Sequence, residues 1–108
     1  LPTARVDLPA AWDFRQLNRL PDTLVDNGFT GWDGSAVITQ ADAGYQLQVK
    51  ATGSDVFLLF CPPDKPFFCF EPVSHPVNAH HLPGRPGLRL LEHGQSCELG
   101  LSLQYQDA

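Results

Sequence analysis

The stretch Tyr45-Gln46-Leu47-Gln48-Val49-Lys50-Ala51 alternates apolar and polar residues without a break. Tyr45, Leu47, Val49 and Ala51 fall on one face; Gln46, Gln48 and Lys50 fall on the other. A period of two over seven residues predicts a half-buried β-strand. Thr52-Gly53-Ser54-Asp55 turns the chain, and Val56-Phe57-Leu58-Leu59-Phe60-Cys61 then runs apolar throughout, as expected of a strand buried on both faces. Upstream, residues 36–39 (Ala-Val-Ile-Thr) read as a short strand between two turns, 31–34 and 41–44. The Asp33-Gly34 pair of the first turn supplies the positive φ that tight turns need.

The same reading extends outward. Pro62-Pro63-Asp64-Lys65-Pro66 is a stiff loop, and Phe67-Phe68-Cys69-Phe70-Glu71 is a second apolar strand that ends in a carboxylate. Residues 72–87 hold prolines, glycines and three histidines, so no regular element is expected there. Connections that long in compact domains usually carry function. Residues 88–91 read as a short strand, 92–95 as a turn, and 97–106 as a closing strand with Cys97, Leu99, Leu101, Leu103 and Tyr105 on one face. Residues 1–30, punctuated by Pro2, Pro9 and Pro21, keep no period for long and are expected to be irregular, with at most a stub of helix over 13–20. About six strands joined by hairpin-sized turns predict an all-β fold, an antiparallel β-sandwich or part of one.

Composition bounds the rest. At 108 residues the chain is one domain or part of one. With 43% hydrophobic and 18% charged residues it is neither a disordered tail nor a coiled coil. Its longest apolar run, residues 56–61, is far short of a membrane helix, and no charged-then-apolar leader opens it. The net charge of −5 argues against nucleic acid or an anionic membrane as partner. Methionine is absent, even at position 1, so the chain is expected to be trimmed or a piece of something longer. Cys61, Cys69 and Cys97 are odd in number and widely spaced, which suits reduced, structural thiols in a cytoplasmic protein.

Chemistry has few places to live. Glu71 follows four apolar residues, and a carboxylate at the end of a buried strand is partly desolvated, which favours general-base duty. An ordinary strand-end carboxylate, turned to solvent or paired with an arginine, is the other reading. Asp13, in Trp12-Asp13-Phe14-Arg15, either bonds a ligand hydroxyl or forms a surface pair with Arg15. Trp12, Phe29, Trp32, Phe68 and Phe70 either form a sugar-stacking platform or belong to the core. His75, His80, His81 and His93 lack metal-ligand spacing, so no metal is expected; His75, nearest Glu71, is the one expected to line a pocket.

Taken together, three blocks resemble the aldose 1-epimerase (galactose mutarotase-like) family. Trp12-Asp13-Phe14-Arg15 with Leu24-Val25-Asp26-Asn27-Gly28-Phe29 is similar to the family's Asp-Phe-Arg and following Asp-x-x-Phe stretch. Phe68-Cys69-Phe70-Glu71-Pro72-Val73-Ser74-His75-Pro76-Val77-Asn78-Ala79 is similar to its Glu-Pro-Val segment, and Leu91-Glu92-His93-Gly94-Gln95-Ser96 to its terminal turn. The blocks match in order and correspond to the C-terminal part of the family's chain. The resemblance implies a segment of a β-supersandwich. It implies an isomerase that interconverts sugar anomers without metal or organic cofactor, by acid/base ring opening. Glu71 matches the base and Asp13 a position that bonds sugar hydroxyls; Trp32 and His75 are further candidate substrate contacts. The family's acid histidine lies upstream and has no counterpart in these 108 residues. The expected partners are therefore an aldose or sugar derivative and either the missing N-terminal part as a second chain or a second copy. Alone, the chain is expected to be inactive. Two other readings stand beside this one: a non-catalytic carbohydrate-binding β-sandwich built on Trp12, Trp32 and Asp13, and an orphan half-domain that oligomerises through open sheet edges.

Overall fold

The structure, a computed structural model, describes residues 7–107. It is all-β, with six strands in two antiparallel three-stranded sheets. The strands are β1 (Val25–Thr30), β2 (Ser35–Gln40), β3 (Tyr45–Thr52), β4 (Val56–Cys61), β5 (Cys69–Val73) and β6 (Gly100–Asp107). One sheet has the order β1-β4-β5, the other β2-β3-β6.

A single long ribbon underlies both sheets. β1 pairs with β4 and β2 with β3, and the two ladders meet where the chain changes sheet. There Trp32 donates its backbone N–H to Asp55 O (2.9 Å) and Ala51 to Gly34 O (2.7 Å). Residues 25–40 thus run antiparallel to 45–61 as one bent hairpin, closed by a 3-10 turn (Ala41–Ala43) and Gly44. About 16 residues at ~3.3 Å each span roughly 50 Å, close to the 48 Å long axis of the molecule. β5 adds to β4 at one end of the ribbon, and β6 adds to β3 at the other.

The sheet change depends on Gly34. Its φ is +88°, and a Cβ there would sit 2.6 Å from Ala51 O, so only glycine lets the ribbon bend with its backbones this close.

The core lies on one face of the first sheet. Val25, Phe57, Leu59 and Cys61 are buried, and Trp12, Phe14, Phe29, Trp32, Phe68 and Phe70 pack against them. Phe57 is the hub: its ring stacks on Phe29 (4.9 Å, 10°), lies 4.9 Å from Phe70, and meets Trp32 edge-on at 5.5 Å. Its burial pattern makes β4 the central strand, as its unbroken apolar run predicts. The alternation of residues 45–51 likewise holds as β3, with Val49 buried and Lys50 exposed.

Several expectations change. β1 lies within the lead-in expected to be irregular, because pairing with β4 supplies what Asn27 and Gly28 lack in strand propensity. The stub of helix over 13–20 is absent; the lead-in instead holds a 3-10 turn at Ala10–Trp12. Residues 88–91 form no strand: Leu90 is 95% exposed, and a four-residue run with no neighbour to pair with gains too little to order as a ladder. β5 starts two residues later than expected and runs through Pro72, which is tolerated because β5 is an edge strand. All three cysteines are free: Cys61 buried, Cys69 half-buried, Cys97 exposed. Burial pushes the Cys61 thiol pKa up, and nearby Cys69 adds to it. Among the described residues, no helix is long and apolar enough to cross a membrane.

The second sheet is open. Leu101, Leu103 and Tyr105 share a face of β6 and are each more than half exposed. The molecule has a radius of gyration of 15.3 Å, where a compact chain of this length has about 13 Å. It exposes 8051 Å², where a compact chain of this mass exposes about 6,000 Å².

Candidate active site

The first sheet separates the sequence-derived candidates. Paired residues of antiparallel strands share a face, and neighbours along a strand alternate. One face therefore carries Phe29, Phe57, Leu59, Phe70 and Pro72; the other carries Asp26, Gly28, Leu58, Phe60, Cys69, Glu71 and Val73.

Trp32 belongs to the aromatic side. It packs edge-on against Phe57 and Phe70 (5.5 and 5.7 Å), and its indole Nε1 donates to Ser35 O at 2.7 Å. Asp13 sits on the same side, between Trp12 and Phe14, whose rings both meet Phe29. Arg15 clamps it with two side-chain bonds, Nε to Oδ1 at 2.9 Å and Nη2 to Oδ2 at 2.6 Å. The backbone N–H of Arg15 donates to Oδ1 as well. These bonds to the Arg15 guanidinium and amide hold the Asp13 pKa down at about 2. Asp13 is thus paired with Arg15, and a groove of about 1280 Å³ lined by Trp12, Phe29, Trp32 and Phe70 runs along this side.

Glu71 lies on the other side, opposite Leu58, which in turn faces Gly28. It is exposed, which corrects the expectation of a partly desolvated carboxylate: Glu71 stands on an edge strand, on the face away from the packed rings. His75 follows where β5 ends. Ser74 Oγ lies 2.8 Å from its Nδ1, and it lines a hollow of about 410 Å³ together with Leu58 and Val73, both from Glu71's face. The structure therefore groups Glu71 with His75, and Asp13 with Trp32, and puts the sheet between the two pairs.

One further carboxylate joins Glu71. Asp26, half-buried on β1, faces Phe60 and through it Cys69, one step along the same face. Two strand spacings across and two residues along put the Cα atoms of Asp26 and Glu71 about 12 Å apart. Between them Leu58 lies over Gly28, where a Cβ would meet Leu58 Cδ2 at 3.2 Å, so the floor of this face stays flat. Among the described residues neither carboxylate has a hydrogen-bond or ion-pair partner. Two unpaired carboxylates over an apolar floor can accept protons from, or hydrogen bonds donated by, a polyhydroxy ligand. Asp26 was not singled out in the sequence, because its strand lies in the stretch without periodicity. Its signal was a lone acid directly beside Val25, the one fully buried large side chain.

No metal site accompanies them: among the described residues no three His, Cys, Asp or Glu side chains converge. His80 and His81 come together in a 3-10 turn, ring centroids 4.1 Å apart, without a third ligand.

The fold has counterparts among known proteins. The chain is 37% identical to the uncharacterized protein YphB of Escherichia coli K12, over 107 residues that cover 92% of this chain and 37% of that protein. It superposes with a TM-score of 0.84 and 34% identity on the crystal structure of a "putative aldose 1-epimerase" from the same organism, covering 94% of this chain and 38% of that one. The chain matches part of an aldose 1-epimerase-like structure. No family model matches it. The match bears out the resemblance read from the Asp-Phe-Arg and Glu-Pro-Val blocks and the all-β fold it implies. The chain spans under two fifths of the length of either relative.

Proposed function

We propose that this chain supplies the base-bearing part of an aldose 1-epimerase-like active site. The observation that carries the reading is Glu71 and Asp26, unpaired on one open sheet face, in a chain that matches part of such a structure. Glu71 takes the proton from the anomeric hydroxyl. As the C1=O1 bond forms, the bond from C1 to the ring oxygen breaks, and the ring oxygen takes a proton from an acid outside this chain. Rotation about C1–C2 and the reverse steps close the ring to either anomer. Asp26 accepts a hydrogen bond from a second hydroxyl and fixes the sugar across the Leu58 floor. Asp13 and Trp32 shape the opposite side of the sheet and have no direct part.

The acid comes from polypeptide that covers the open faces. The chain exposes roughly 2,000 Å² more than a compact chain of its mass, well above the ~800 Å² per partner of a standard interface and in the range of a large, obligate one. Leu101, Leu103 and Tyr105 form its apolar centre on the second sheet. The fitting partner is the portion of the relatives' fold that this chain does not match.

The test is anomer exchange of a panel of aldoses, followed by polarimetry or saturation-transfer NMR, on the protein as isolated. Native mass spectrometry reports whether a second polypeptide is present. Loss of the general base costs typically 100- to 10,000-fold, so Glu71→Gln should lower kcat by at least about 100-fold. Asp26→Asn should chiefly raise KM. Undiminished exchange in Glu71→Gln overturns the assignment.

A further inference from the structure

The register of the first sheet lays the Glu71 face out in rows. Asp26, Phe60 and Cys69 make one row, Gly28, Leu58 and Glu71 the next, and Thr30, Val56 and Val73 the third. Asp26 therefore lies on one side of the Leu58–Glu71 row. The hollow of about 410 Å³ lies on the other: it runs from Leu58 past Val73 to His75, with Asn78 and His80 also in its lining. Two residues along β5, about 6.7 Å, separate Glu71 from Val73. The walls are held in place. Ser54 donates its hydroxyl to Val73 O (2.7 Å), with Val56 O at 2.9 Å, and so ties the end of β5 to the start of β4. Gly87 (φ +74°) passes so close to the turn after β5 that a Cβ would lie 2.5 Å from Ser74 O and 3.1 Å from His75 Cα. Pro76 and Ala79 are buried, and His81 N–H donates to Asn78 O (3.0 Å) to close the following 3-10 turn. Among the described residues, the lining combines apolar side chains with a hydroxyl, an amide and two imidazoles, and holds no Lys, Arg, Asp or Glu.

We propose that this hollow is a subsite for the exocyclic C6 group of the sugar, and that His75 is the residue that makes the site discriminate there. The inference rests on the reading of Glu71 given above and extends it to the other end of the sugar. In a pyranose, C2 and the ring oxygen flank C1 on opposite sides. A ring that lies over Leu58 with its anomeric hydroxyl at Glu71 and its 2- or 3-hydroxyl toward Asp26 therefore turns C5 and its substituent away from Asp26, along the strands toward Val73. Leu58 and Val73 give the C6 methylene an apolar contact. Ser74 Oγ lies 2.8 Å from His75 Nδ1, which leaves Nε2 to meet the 6-hydroxyl. A lining without fixed charge suits a neutral hydroxymethyl group, and a pentose, which ends at C5, would leave the hollow unfilled.

The probes are galactose and glucose, their 6-deoxy forms, and arabinose and xylose, which repeat the two rings without C6. Affinity is read by saturation-transfer difference NMR on the protein as isolated, and anomer exchange is read alongside it. In at least one series the hexose should bind roughly 3- to 10-fold tighter than its 6-deoxy form, the worth of one neutral hydrogen bond, and the pentose should bind more weakly still. The H6 protons of the hexose should receive strong saturation. His75→Ala should bring the ratio of hexose to 6-deoxy sugar close to one, and Val73→Phe, which fills the hollow, should weaken the hexose more than the pentose. His93→Ala, an exposed histidine outside the hollow, should leave both ratios as they are. A simple loss of folding would lower all three sugars together and leave the ratios intact, and thermal unfolding of each variant reports it. The inference is overturned by the absence of any C6 dependence, or by a C6 preference that survives both His75→Ala and Val73→Phe, even where Glu71→Gln abolishes exchange. A C6 preference removed by those variants, combined with exchange indifferent to Glu71→Gln, would keep the subsite and remove the epimerase reading.

Discussion

Phe57 and Leu58 are adjacent in β4 and point to opposite sides of the first sheet, so their truncation tests the separation on which the site reading depends. Phe57 is 9% exposed, and its ring meets three others, at 4.9, 4.9 and 5.5 Å. Truncating a buried Phe to Ala costs about 3–5 kcal/mol, from lost transfer energy and the cavity left behind. The rings of Phe29, Phe70 and Trp32 would line that cavity, and they cannot collapse far because strand pairing holds Phe29 and Phe70 in place. The upper part of the range, about 4 kcal/mol, is therefore expected for Phe57→Ala. Leu58 is half-buried beside an open hollow that solvent enters, so Leu58→Ala should cost only about 1 kcal/mol. Urea unfolding, followed by the fluorescence of Trp12 and Trp32, reads the difference directly, since both indoles sit on the Phe57 side. At an m-value near ~1.5–2 kcal/mol/M, the midpoint should fall by about 2 M for Phe57→Ala and by about 0.5 M for Leu58→Ala. Equal losses, or a larger one for Leu58→Ala, would refute the assignment of the aromatic face as the core and the Glu71 face as the open side.

Two further outcomes follow from local geometry. The Asp13 carboxyl should titrate near pH 2 by NMR, and Arg15→Gln should return it toward 3.8. Because the folded pKa lies below the unfolded one, the pair's contribution is complete above about pH 4 and is lost as pH falls toward 2; an Asp13 midpoint unmoved by Arg15→Gln contradicts the clamp. Gly34→Ala should destabilise by roughly 2–3 kcal/mol, since φ is +88° and Ala51 O stands 2.6 Å from the new Cβ. Gly44→Ala, with positive φ and open space around it, should cost about 1 kcal/mol. Equal thermal shifts for the two would remove the close approach at Gly34 as the cause.

Strands whose side chains carry a clear pattern were legible from the chain alone. Residues 45–51 alternate, and residues 56–61 are apolar throughout; both became ladder strands because one sheet face, or both, had to leave water. β1 was not legible. Val25-Asp26-Asn27-Gly28-Phe29 has neither alternation nor strand propensity, and it extends only because β4 offers it a complete row of backbone partners. The reverse error at residues 88–91 has the same origin: an apolar run without a partner strand stays irregular, and Leu90 is left in solvent.

The site divides along the same line. Sequence by itself singled out Glu71 and His75 as candidates, because a carboxylate ending an apolar run and a histidine in a long proline-rich loop stand out as residue types in context. It also placed Asp13 and Trp32 with them, since linear order says nothing about which side of a sheet a residue takes. Tertiary structure decided that question. A strand turns alternate residues to opposite faces, so the register of β1, β4 and β5 sends Glu71 and Asp26 to one side and leaves Asp13 and Trp32 with the rings packed on the other. Side-chain chemistry is a property of single residues and can be read in order along the chain. Which residues share a face depends on hydrogen-bonded pairing between residues 9 to 36 positions apart, and only the folded ribbon supplies it.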